Sequence, residues 1–120
     1  IANVFQAEIA ALDPGRNTSR LKLDDFELSG PYYPGRFLHD RVWLCVRAED
    51  LRVRSPDGSK PEGGVNRVPV TLLRISEMPR AMRLEFSRAI TVEISRAEFE
   101  RQKDNEEWLV EFPPQSIRVL

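Results

Sequence analysis

One stretch of this chain occurs twice, and that repetition constrains the fold more than anything else in it. Residues 41–53 read Arg-Val-Trp-Leu-Cys-Val-Arg-Ala-Glu-Asp-Leu-Arg-Val, and residues 107–119 read Glu-Trp-Leu-Val-Glu-Phe-Pro-Pro-Gln-Ser-Ile-Arg-Val. A constant offset of 66, with no gap, matches Val42 to Trp108, Leu44 to Val110, Val46 to Phe112, Leu51 to Ile117 and Val53 to Val119. Within each copy the matched positions alternate, so in a strand they point to one face. A slip of one residue would turn the whole set to the other face. Agreement of parity is therefore better evidence of repetition than the identities, which are Arg52/Arg118 and Val53/Val119. Each copy predicts a strand, a tight polar corner and a second short strand.

The remainder of the chain repeats as well. Residues 4–12 form a first strand with Phe5, Ala7 and Ile9 on one face and Gln6 and Glu8 on the other. Residues 13–17, Asp-Pro-Gly-Arg-Asn, are a turn cluster. Residues 20–23 alternate as a second strand, Asp24-Asp25 makes a corner, and residues 26–28 are a third strand. Residues 30–35, with two glycines, two prolines and Tyr32-Tyr33, are loop. Residues 55–64 have almost nothing to bury and form a linker. After it the pattern restarts at an offset of 63: Asn66 follows Asn3, and Val68, Val70 and Leu72 follow Phe5, Ala7 and Ile9. Residues 83–86 repeat residues 20–23, and Ile90, Val92 and Ile94 alternate as the next strand. Ser95-Arg96-Ala97-Glu98 is a capping box that predicts a short helix over residues 95–103, in the place of the Pro/Tyr loop.

Two barrels of about five strands follow, one short helix lying in the second. The expected division is a first module over 1–54, a linker over 55–64 and a second module over 65–120. A β module of about 55 residues buries too little surface on its own, so the halves are expected to pack on each other or on a second chain.

Composition narrows the function. A formal net charge of −1 argues against a polyphosphate partner held by bulk charge. The single cysteine, Cys45, excludes an intramolecular disulfide and fits a reducing compartment. No apolar run approaches the ~20 residues that span a bilayer. The chain opens on Ile1 inside a strand pattern, as a piece of a longer polypeptide would. No phosphate-binding Gly-rich motif is present, so an enzyme is not expected. His39 and Cys45 are each the only residue of their kind, so no Cys/His zinc cluster forms. His39 beside Asp40 reads as a solvated loop histidine, Cys45 as a surface or interface thiol, and Asp24-Asp25 as a turn.

At Arg47-Ala48-Glu49-Asp50 the sequence resembles the TOBE (transport-associated OB) domain, found at the C-terminus of ABC-transporter ATPase subunits. That family carries Arg-Pro-Glu-Asp there; this chain has Ala48 in place of the proline. The opening Asn3-Val4-Phe5-Gln6-Ala7-Glu8-Ile9 resembles the family's first strand, and residues 110–120 its closing strands. The resemblance covers nearly the whole chain and implies an all-β fold of tandem OB-like (MOP/TOBE-type) small β-barrels. It implies a non-catalytic, regulatory or dimerising domain of an ABC importer's ATP-binding subunit, with a role in sensing a small ligand. The implied partners are that subunit's nucleotide-binding domain in cis, a second ATPase subunit and, indirectly, the membrane permease. ATP and Mg²⁺ would belong to the nucleotide-binding domain and no cofactor to this chain, which would be cytoplasmic and peripheral to the inner membrane.

Related MOP modules cradle an oxyanion with an Asn near the first strand and a Lys-Ala-Ser-Ser-like turn after the fourth. By position Asn3 and Asn66 match that Asn, Arg47 the Lys in the first half, and Ser116 a Ser in the second. Pro113 replaces the second Lys and Glu49-Asp50 replace the first serines. A carboxylate pair repels an oxyanion, so weak or absent binding of molybdate, tungstate and sulfate is expected.

Two further expectations concern surfaces. Parity turns Trp43 and its counterpart Leu109 outward, and both are expected to lie in packing surfaces, between the modules or between two subunits. The alternative function is a free-standing OB-type nucleic-acid-binding module that uses Tyr32, Tyr33, Phe37 and Trp43 with Arg36, Arg41 and Arg47. The near-neutral charge weighs against it, and no nucleic acid is expected.

Overall fold

A computed structural model describes all 120 residues, Ile1–Leu120. The first half contributes β1 (Ala2–Asp13), β2 (Thr18–Lys22), β3 (Glu27–Gly30), β4 (Arg41–Arg47) and β5 (Arg52–Arg54). The second contributes β6 (Asn66–Val70), β7 (Leu72–Glu77), β8 (Met82–Phe86), β9 (Ile90–Ile94), α1 (Arg96–Gln102), β10 (Trp108–Phe112) and β11 (Arg118–Val119). The class is all-β, as expected. Ser95 caps α1 by accepting from the Glu98 amide at 3.0 Å.

Period-two alternation places the core. Val42, Leu44, Val46, Val110 and Phe112 are buried, and so are Phe5, Ile9, Leu21, Leu84 and Val92 from the neighbouring strands. All belong to one continuous cluster of 22 buried hydrophobic residues. Both halves therefore share a single core, which resolves the shortage of buried surface in each.

The closing strands change places. The first sheet runs β11-β4-β1-β2-β3, so its fifth strand comes from the end of the second half. The matching strand of the first half, β5, pairs instead with β10, in the order β5-β10-β6. The remaining strands form β7-β8-β9, so the second half repeats the first with one break, at Thr71 between β6 and β7. Register irregularities repeat as well, at Ile9/Ala11 and at Leu72/Arg74, again 63 residues apart. The units of pairing thus cross the linker between residues 55 and 64.

Candidate functional site

The strand exchange is executed by two 3₁₀ corners, Ala48–Asp50 and Pro114–Ser116, which carry the chain from one barrel to the other. The first packs against β9 and the second against β3. Between them lies a cleft of about 350 Å³ lined by Glu49, Asp50, Arg52, Pro113, Gln115, Ser116 and Arg118. None of its four charged residues takes part in an ion pair, although the chain has eleven between arginine or lysine and a carboxylate. Two guanidinium and two carboxylate groups there balance in charge.

The four residues matched to an oxyanion cradle separate into two kinds. Arg47 and Ser116 come to the same corner, because β11 pairs with β4 through Arg118↔Cys45 and Val119↔Leu44. Arg47 is exposed and outside every ion pair. The Ser116 hydroxyl donates to the Pro113 carbonyl at 2.6 Å and so closes its own turn.

Asn3 and Asn66 sit in the seams between the modules. The Asn3 side-chain amide donates to the carbonyls of Val46 (3.2 Å) and Thr91 (2.9 Å), and its oxygen accepts from the Thr91 amide at 2.8 Å. Asn66 donates to the carbonyls of Ser29 (2.9 Å) and Phe112 (3.0 Å) and accepts from the Ser29 amide at 2.7 Å. Each asparagine therefore bonds its own half's fourth strand and one whole peptide residue on the third strand of the other half. Both N–H donors of each side chain are engaged within the fold. Their sequence signal was present in the repeat of Asn3 at Asn66; it marked a seam.

A third seam is made by Arg88, which has φ 64° in the β8–β9 turn. Its guanidinium donates to the carbonyls of Pro69 and Asp25, pairs with the Asp25 carboxylate at 2.8 Å and lies 5.5 Å above the Phe26 ring. In the first half the Tyr33 hydroxyl donates to the Ile117 carbonyl at 2.8 Å, which pins the incoming β11. Burial pushes the Tyr33 phenol up to about 12. Gly30 makes room for it: a Cβ at that position would stand 2.4 Å from the tyrosine oxygen. The linker is tied down by Asp57, held at about 2 chiefly by hydrogen bonds from Ser59, with Arg54 beside it.

Trp43 stands opposite Gln6 on the outer face of the first sheet and is 50% exposed. Within the chain the modules meet through the corners and the asparagine seams, and Trp43 stands on the sheet face away from them. Leu109, between Arg54 and Pro69, is half-buried. Tyr33 is withdrawn from the aromatic set considered for nucleic acid by its bond to Ile117. The His39 ring, exposed, lies 3.3 Å from Glu8, while Asp40 accepts from the Phe37 amide at 2.9 Å. No three His, Cys, Asp or Glu side chains converge in a metal-holding arrangement.

The architecture is thus a tandem pair of OB-like barrels of the MOP type. Solved structures that match it include the cytoplasmic molybdate-binding protein ModG in a form with molybdate bound, at a TM-score of 0.80 and 12% identity, over 98% of this chain and 94% of that one. At such identity the fold is what is shared. No protein-family model matches the chain, and no curated protein matches it in sequence.

Proposed function

We propose that this chain is a non-catalytic accessory module, serving as the C-terminal regulatory and dimerisation domain of an ABC importer's ATP-binding subunit. The observation that carries the reading is the shared, strand-exchanged double barrel, whose corner cleft holds charges of both signs. It supports a rigid unit that reports on a small polar solute. ModG binds molybdate; here the seam asparagines and Ser116 have their donors engaged, and Glu49 and Asp50 line the cleft. That supports a ligand other than a tetrahedral oxyanion. The partners are the nucleotide-binding domain in cis, a second ATPase subunit and, through them, the permease at the cytoplasmic side of the inner membrane. Trp43, with Arg41 and Arg47 beside it, is the surface offered to the rest of the subunit.

Sequencing the gene upstream of the Ile1 codon tests the reading. An in-frame nucleotide-binding domain with a phosphate loop is expected; an in-frame stop directly before Ile1 would overturn it. In solution, titration with Mg-ATP should release no heat of binding. Millimolar molybdate should leave melting unchanged, whereas ligand at ~100 times Kd would add ~2.7 kcal/mol.

A further inference from the structure

Sheet edges carry unpaired backbone groups that recruit other strands unless they are covered. Most edges of this fold are managed. On β3 and β9 the amide clasps of Asn66 and Asn3 occupy Ser29 and Thr91. On β6, Pro69 has no N–H and Arg88 takes its carbonyl. The edge strands β5 and β11 are three and two residues long. The far end of β1 is met by the loop before β4, through Ile9 to Asp40 at 2.9 Å and His39 to Ile9 at 2.8 Å, and residues 10–13 are half-buried.

β7 has no such cover. It pairs with β8 alone, and no other backbone or side-chain group bonds the main chain of residues 73–77. It also carries two exposed aliphatic side chains, Leu73 at 68% and Ile75 at 46%. Ile75 lies opposite the buried Leu84, so it sits on the core side of its sheet and is nonetheless open to water.

We propose that β7 is a docking edge for a second copy of this chain, which pairs with it antiparallel about a two-fold axis and sets Ile75 opposite the partner's Ile75. The register follows from alternation. Met78 donates to Ala81 toward β8 at 2.9 Å, so Ser76 and Arg74 face β8 in turn, and Ile75 and Glu77 present their backbone groups outward. Outward residues pair only with outward residues. Over the regular stretch after the irregularity at Leu72/Arg74, the register centred on Ile75 buries isoleucine against isoleucine, places Arg74 opposite the partner's Ser76, and opposes no like charges. The alternative centred on Ser76 buries Ile75 against a carboxylate. A two-fold contact is closed, and it would join two three-stranded sheets into one of six. This deepens the dimerising role proposed above and rests on it only for the expectation that the module associates.

The test uses this chain with Cys45→Ser. Ile75→Cys on that background should cross-link into a covalent dimer under mild oxidation, and Ser76→Cys should do so at least tenfold more slowly. Sedimentation of the unmodified chain should show a reversible dimer, and Leu73→Lys with Ile75→Lys should weaken it at least tenfold while Trp43→Glu does not. A chain monomeric at every concentration, a dimer that survives the double lysine change, a dimer lost with Trp43→Glu, or equal cross-linking at both cysteines would each overturn the proposal. Failure of the gene-sequence test would remove the transporter reading and leave these outcomes intact.

Discussion

In the first half of the molecule the outer position where β1 meets β4 holds Val4 opposite Cys45; in the second half the equivalent position holds Arg67 opposite Glu111. On the inward side each pair is flanked alike in both halves, by an asparagine clasp, Asn3 or Asn66, and by the buried apolar residues Phe5, Leu44 and Val46 or Val68, Val110 and Phe112. From that one exchange the two outer faces diverge. Each face has an ion pair at the matching arginine, Arg20 to Glu27 at 2.5 Å and Arg83 to Glu93 at 2.9 Å, but only the second adds Arg67 to Glu111 at 2.8 Å and Arg54 to Glu111 at 3.5 Å. The first presents Trp43 among Arg41, Arg47 and Lys22, none of them paired. The comparison teaches that packing holds a repeat to one plan only where side chains touch the core. The outer rows were free to become a sealed face in one half and an open one in the other.

The comparison breaks most severely at the seams. Asn3→Ala should cost about 3 kcal/mol, since it removes three hydrogen bonds and strands the Thr91 peptide groups. Asn66→Ala makes the same deletion at a less buried site and should cost about 2 kcal/mol by chemical denaturation. Costs below about 0.5 kcal/mol for both would mean the clasps do not join the halves. Next comes the divergent pair. Glu111→Ala leaves the largely buried Arg67 guanidinium without its carboxylate, while Arg54 keeps Asp57, and should cost about 2 kcal/mol. Cys45→Ala at the matching position should cost about 1 kcal/mol or less, and a reversal of that order would show that the outer faces are not what distinguishes the halves.

Tyr33→Phe removes the first half's pin on β11 and should cost about 1 kcal/mol. Its pH dependence is specific. The folded phenol titrates at about 12 against 10.0 for the free group, so the folded state holds the proton more tightly. That stabilisation is fully present below pH 10 and is lost as pH rises toward 12. Melting temperature should fall across that window in the parent chain and less steeply in Tyr33→Phe. The smallest effect is expected for Trp43→Ala, below about 1 kcal/mol because the indole is already half in water. A loss of several kcal/mol would place the side chain in a contact that one chain does not contain.

Parity made the core legible: Val42, Leu44, Val46 and their counterparts are inside because a period of two admits only two faces. The Ser95 capping box placed the helix for an equally local reason. What sequence could not disclose was partnership. Alternation reports which face a residue occupies and is silent on which strand lies beside it, so β5 and β11 read identically whether they close their own barrel or the other. The choice is made by where the corners Ala48–Asp50 and Pro114–Ser116 direct the chain. The candidate site was partly legible on the same terms. Arg47 and Ser116 lie near each other in the repeat pattern and in space, whereas the roles of Asn3 and Asn66 depend on contacts 88 and 37 residues away.

The exchanged strands also impose an order on how this molecule comes into being. The first barrel's fifth strand is Arg118–Val119, so a ribosome that has already delivered residues 1–54 has delivered a sheet lacking its edge. Ile117, which fills the space behind that edge, arrives equally late. A nascent chain must hold four strands and an open core in waiting while the rest is translated. Folding is then concerted, slowed by its long-range pairings, and complete only when both halves finish together.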